Sequence, residues 1–348
     1  MMKWRYRQGL KYLGFFVFLI CAITVFILNR LTEFDLPGEG LSRTLRFEHQ
    51  QDRLAGTLIL PANVISPPVV LLVHGDGAQD RWSEGGYLPL VNYLVSRGIA
   101  VYSWDKPGTG ESRGNWLAQT MPDRAGEAAL ALEKVRQQPE LKSSHVGFLG
   151  FSQAGWVVPQ ASQRANADFA VLVGAAINWR AQGLYYGAQR RQLEGRSSTE
   201  IQAATERDAA DFDGAFTPDT VRQPCLSNCT RQDFERRNAH ADARSDIAAM
   251  KTPVMILMGE DDRNVNPHET VSAWAETLPA GTSRCIRLIG GATHGLLRSA
   301  WFDYQLASRW PLWKQGLFML SGQYAWAPGA LSDIAGWVQG QRCADAHP

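Results

Sequence analysis

The sequence predicts an α/β protein: a mostly parallel sheet with helices on both faces, behind an apolar N-terminal helix. Three observations carry this. Short, strongly apolar runs at 69–73, 99–104, 146–151, 169–173, 253–258 and 283–289 read as buried sheet strands, and stretches of helical spacing lie between the earlier ones. Glycines and chemistry-bearing residues gather directly after several of those runs, in HGDG, DKPGTGES, GFSQAG, GEDDRNV and GATHG, as at the loop-bearing edge of an open sheet. The third observation is a single apolar stretch, 12–28, set apart at the N-terminus.

Taken in order, Lys3, Arg5, Arg7 and Lys11 precede the stretch 12–28, and Asn29 and Arg30 close it. As a helix it covers about 25 Å. That is slightly short of a ~30 Å hydrocarbon core, a mismatch that snorkelling Lys11 and Arg30 absorb. No small-x-small cleavage site follows, and the residues before Cys21 lack the small side chain that lipoprotein processing needs. The expectation is therefore an uncleaved transmembrane anchor over residues 1–31. Four basic residues before the run against one after it place the N-terminus in the cytoplasm and the bulk of the chain outside. A cleaved signal peptide would leave the domain in the same compartment.

Residues 32–42 read as a linker and 43–348 as the main domain. Segments 43–48 and 54–60 form an antiparallel pair across the polar turn HQQD. Residues 85–96 have helical spacing, capped by Gly98. Pro122 opens a helix whose Ala125, Ala128, Ala129, Leu132 and Val135 share a face. Residues 178–250, rich in Gln, Arg and Ala, hold no credible strand and are too long for a loop, so they read as a mostly helical cap inserted between two strands. The final helix is 330–338. Before it lies 297–326, dense in aromatics (Trp301, Phe302, Tyr304, Trp310, Trp313, Phe318, Tyr324), residue types suited to a boundary between apolar and wet surroundings.

With 348 residues and a formal net charge of +1, the chain can bury a full core and shows no basic stripe of the kind that binds nucleic acid. The histidines have no metal-ligand spacing, and DKPGTGES lacks the lysine and hydroxyl that a phosphate-binding loop needs, so no metal, nucleotide or other cofactor is implied. Cys21 falls in the first apolar stretch; Cys225, Cys229, Cys285 and Cys343 form an even set with three possible pairings.

The chemistry centres on GFSQAG. A strand ending at Phe151, a sharp turn at Ser152 and small residues opening a helix lift the serine hydroxyl clear of the sheet. Such a hydroxyl needs a base, and the base needs a third group to orient it. Glu260, Asp261 and Asp262 follow one later strand and His294 follows the next. His74 reads as a turn-stabilising hydrogen-bonder, not a second base.

These motifs, LLVHGDGAQDR, WDKPGTGES, GFSQAGW, GEDDRNV and GATHG, resemble those of the α/β-hydrolase fold, closest to envelope-associated esterases and serine aminopeptidase-like hydrolases. The resemblance covers roughly 54–295 plus the last helix. It implies Ser152 as nucleophile, His294 as general base and Asp262 as the acid. The backbone amides of Gln153 and Asp76 then correspond to the oxyanion hole. Two departures stand out. Ala154 occupies the second glycine position of G-x-S-x-G, with Gly155 displaced by one. Asp76 puts a carboxylate where a small neutral residue is usual, so it is expected to turn outward, toward Arg81. The activity implied is hydrolysis of a small acyl substrate, a carboxylic ester, through a covalent acyl-enzyme. A peptidase or amidase of the aminopeptidase type is the alternative, and a catalytically silent binding protein the outsider. In this fold the last helix packs near the strand before the base, and an oxidising compartment then implies Cys285 paired with Cys343 and Cys225 with Cys229.

Overall fold

The computed structural model describes residues 2–38, 40–226, 228–341 and 343, with side chains from residue 15 onward. The side chains of Lys3, Arg5, Arg7 and Lys11, and residues 344–348 of the expected domain, lie outside that description. Helix α1 (Met2–Leu31) contains the apolar stretch. Its segment Phe15–Phe34 is long and apolar enough to cross a membrane and is almost entirely unburied by the rest of the chain. The stretch that follows is docked: Asn92 Nδ2 donates to the carbonyls of Glu33 and Asp35, each at 2.9 Å.

From there the chain builds β1 (Leu41–His49), β2 (Asp52–Leu60), β3 (Val69–Val73), α2 (Leu88–Ser96), β4 (Ala100–Trp104), α3 (Met121–Arg136), β5 (Val146–Phe151), α4 (Val158–Ala165) and β6 (Ala170–Val173). Five helices come next: α5 (Trp179–Leu193), α6 (Ser198–Ala215), α7 (Pro218–Val221), α8 (Arg231–Asn238) and α9 (Arg244–Ala248). The sheet resumes with β7 (Val254–Gly259), α10 (Pro267–Thr277) and β8 (Arg284–Ile289), and the chain closes with α11 (Ser299–Phe302), α12 (Leu312–Ser321) and α13 (Ala330–Val338).

The eight strands lie in the order β1-β2-β4-β3-β5-β6-β7-β8. β1 pairs antiparallel with β2, and β2 with β4; the other neighbours are parallel. Every residue of β3, β4 and β6 is buried, which is why those strands read as unbroken apolar runs without alternation. One face is covered by α3, α4 and α10, the other by α2, α13 and the aromatic segment around Phe302 and Trp326. α3 starts one residue before the expected proline, at Met121, because Thr120 and Asp123 form a reciprocal capping box that satisfies the first free amides. Cys285 on β8 is bonded to Cys343 beyond α13, and Cys225 to Cys229.

Candidate active site

Ser152 has φ +53°, a left-handed conformation that a residue with a side chain seldom adopts. The fold holds it there from both sides. A side chain on Gly155 would collide with the backbone of Ala176, so this glycine supplies the close approach between the elbow and the end of β6. Ala154 is fully buried, and a Cβ added to Gly150 would stand 2.6 Å from its methyl. The displaced motif is thus compensated: the strand glycine makes room for the alanine, and Gly155 does the work expected one position earlier.

Two later strand ends bring an acid and a base together, and the end of β3 lies against the serine. After β8, His294 brings Nδ1 to 2.8 Å from Oδ2 of Asp262, which follows β7. Asp262 is buried, and its Oδ1 accepts the amides of Asn264 (2.7 Å) and Val265 (2.9 Å), which leaves Oδ2 to the imidazole. The tautomer in which Nδ1 donates to this oxygen is the one that leaves Nε2 as the ring's acceptor. Glu260 and Asp261 are exposed. After β3, Gly75 lies against the elbow, where an added Cβ would meet Ser152 Cβ at 3.3 Å. This brings the Gly75-Asp76-Gly77 loop alongside the serine. Gly174, at φ +58°, is also required: a side chain there would stand 2.8 Å from the His294 ring.

Asp76 does not turn outward to Arg81 as expected: it stays in the wall of the cavity that Ser152 lines, with a different partner. Arg81 is engaged with Asp105, at 2.7 Å through its amide and 3.0 Å through Nε, and its Nη2 also reaches Glu111. Asp76 is held instead by Arg231 of α8, with Nη1 to Oδ1 at 2.9 Å and Nη2 to Oδ2 at 2.8 Å, and by Gln153 Nε2 at 3.0 Å. Burial alone would raise the Asp76 carboxyl; the hydrogen bonds and charge of Arg231, with Lys106 and the Gly77 amide, outweigh it and hold the group below the usual carboxylate range.

Sequence reasoning missed the cations behind this loop. Buried Lys106 donates Nζ to the carbonyls of Gly75 (2.6 Å) and Gly77 (2.8 Å). Buried Arg124 donates to the carbonyl of His74 at 2.7 Å and to Oε1 of Gln153, which ties the loop to the elbow. Neither sits in a motif that names its partner; the lysine of DKPGTGES was visible, but not its targets. His74 is fully buried behind the loop, with Nε2 2.6 Å from the Trp104 carbonyl, and burial pushes its pKa down to about 3.

Above Ser152 lies a cavity of about 580 Å³. Trp156, Trp179, Leu184, Phe212, Phe216 and Leu306 give it apolar walls, and Arg180, Asp208, Arg231 and Glu235 its polar ones. The polar groups are already engaged: Arg180 with Asp213 (2.7 Å), Asp208 with Arg191 (2.8 Å), and Glu235 with Arg231 (2.7 Å).

A family model described as serine aminopeptidase, S33, matches residues 67–299. No curated protein matches the sequence. Among solved structures, a hypothetical protein from Pseudomonas aeruginosa has a TM-score of 0.53 at 16% identity, covering 83% of this chain and 97% of its own. An esterase from Pyrococcus furiosus has a TM-score of 0.52 at 16% identity, covering 83% and 92%. Est1E from Butyrivibrio proteoclasticus, solved with ferulic acid bound, has a TM-score of 0.51 at 17% identity, covering 80% and 98%. At these identities the likeness is one of fold.

Proposed function

We propose that this chain, which belongs to the serine aminopeptidase (S33) family of α/β hydrolases, cleaves a carboxylic ester through a covalent acyl-enzyme. Ser152 Oγ attacks the ester carbonyl while His294 Nε2 takes its proton, and Asp262 orients the imidazole and stabilises its charged form. The amides of Gln153 and Asp76 receive the oxyanion, where losing one donor typically costs about 2.7–4 kcal/mol in the transition state. The intermediate expels the alcohol, which leaves with the proton held by His294; water then repeats the sequence on the acyl-serine. The observation that carries the reading is the left-handed Ser152 on the floor of a cavity, with the bonded His294–Asp262 pair on the neighbouring strand ends.

An ester is favoured over an aminoacyl amide by the cavity walls. An aminopeptidase receives an α-ammonium group on a carboxylate, whereas here Asp208 is paired with Arg191, and Asp76 and Glu235 are both engaged by Arg231. The test is a panel of p-nitrophenyl esters and aminoacyl amides, with labelling by a fluorophosphonate probe. Ester turnover should dominate, and Ser152→Ala should lose labelling and about a million-fold in turnover. Undiminished labelling of Ser152→Ala would remove that residue from its role, and preferential cleavage of aminoacyl amides would overturn the ester assignment. We further propose that α1 anchors the enzyme, with the domain on the extracytoplasmic side.

A further inference from the structure

Helix α12 carries an apolar stripe that the described residues leave largely exposed. Leu312, Trp313, Gly316, Met319 and Leu320 recur at the spacing of one helix face, and Leu312 is 83% and Trp313 65% exposed. The opposite face is fixed in the fold, where Phe318 packs on Phe302 (5.9 Å) and Trp310 (5.7 Å). Lys314 is buried beside the stripe, its ammonium over the ring of Tyr304 at 4.2 Å and that of Trp313 at 5.4 Å. A rigid helix presenting its apolar side outward needs an apolar occupant on that side.

The neighbour of this stripe says what the occupant is. Where α1 leaves its apolar stretch, Arg30 donates to the carbonyls of Leu320 (3.1 Å) and Ser321 (2.6 Å) at the end of α12. The same guanidinium pairs with Glu33 at 2.6 Å and lies over Tyr324 at 5.0 Å, while Phe34 meets Phe318 at 5.5 Å. The last turn of the membrane-length helix and the last turn of α12 are therefore one packed unit. The bilayer that α1 needs must reach the level of α12, and exposed Tyr324, Trp301 and Tyr304 are the side chains that favour such an interface.

The same segment reaches the cavity. Leu306 forms part of its wall, and Gln305 is tied to α5 by Nε2 to the Tyr186 carbonyl (3.0 Å) and by Arg190 Nε to its Oε1 (2.7 Å). We infer that the exposed face of α12 lies in the interface of the bilayer that α1 enters, and that the cavity takes a membrane-resident acyl ester from it. The substrate half rests on the ester hydrolase reading, and the membrane half on the α1 anchor proposed above.

Full-length protein in phosphatidylcholine–phosphatidylglycerol vesicles, with Cys21→Ser, tests both. A nitroxide on Met319→Cys should collide with oxygen more than with an aqueous nickel chelate, and one on Lys142→Cys, exposed in the turn before β5 and beside Leu141 on the opposite face of the sheet, should do the reverse. Equal access of the chelate to both labels overturns the membrane contact. Spin–spin broadening at Met319→Cys that fades as protein is diluted in lipid does so too, by showing a second copy on the stripe. In kinetics, Leu312→Asp with Leu320→Asp should lower turnover of an ester embedded in the vesicles about tenfold and leave turnover of p-nitrophenyl acetate unchanged. Equal loss on both, or on neither, overturns the delivery role. Wild-type protein that turns over neither ester ends the hydrolase reading and the substrate half, while the nitroxide result still decides the membrane half.

Discussion

At the scale of single residues the assignment turns on which carboxylate holds the imidazole. Asp262 is buried, spends one oxygen on two amides and gives the other to His294, while Asp261 beside it is exposed. Asp262→Asn should therefore lower the rate by about four orders of magnitude, through the wrong imidazole tautomer, and Asp261→Asn should change it little. Steady-state kinetics on one ester distinguishes them, and the reverse ranking would sink the assignment. Asp76 sets a second test. A carboxylate beside a developing oxyanion opposes it unless neutralised, and Arg231 does the neutralising. Arg231→Gln should lower kcat on the order of tenfold. Adding Asp76→Asn should restore most of that loss, a coupling that simple loosening of α8 would not produce.

At the scale of elements, the sheet was legible in the sequence because its central strands are buried on both faces, so hydrophobicity alone marks β3, β4, β5, β6 and β7 to within a residue or two. Ser152 and Asp262 follow β5 and β7 of that set within three residues, and His294 follows the half-buried β8, so strand ends could be searched for all three. The partner of Asp76 was not, since Arg231 is 155 residues away on α8 and only the packing of the inserted helices brings it near. Gly174 is another such case, a glycine whose need appears only once the His294 ring stands against it. The bond between β8 and the chain end beyond α13 followed from the fold expected, not from cysteine spacing. It closes a separation of 58 residues. By chain entropy, Cys285→Ser with Cys343→Ser should lower unfolding stability by about 4 kcal/mol, read as a shifted denaturation midpoint. An unchanged midpoint would show that this bond does not constrain the unfolded chain.

For the whole molecule, the loop that bears the active site stands on buried titratable groups, and this gives stability a definite dependence on pH. His74 is held neutral in the fold, its pKa pushed down to about 3 by burial first and then by Lys106 and Arg124, against an ordinary value of 6.5. Between those two values the unfolded chain binds a proton that the folded chain refuses. Stability from this group is therefore present above the ordinary value and is lost as pH falls through it, at up to about 1.4 kcal/mol per pH unit. Glu127 acts in the other sense: burial raises its carboxyl, so the fold takes up a proton before the unfolded chain does and gains stability on acidification. The two oppose each other, and only a comparison of variants isolates the histidine. His74→Gln keeps an amide donor for the Trp104 carbonyl and removes the titration. Urea unfolding of both proteins between about pH 6.5 and 4.5 should show wild type losing stability faster than His74→Gln on acidification, with the gap widening by up to about 1.4 kcal/mol per unit. Parallel pH profiles would mean that His74 is protonated in the folded state, and the loop behind Ser152 would then rest on a cation, not on a neutral imidazole.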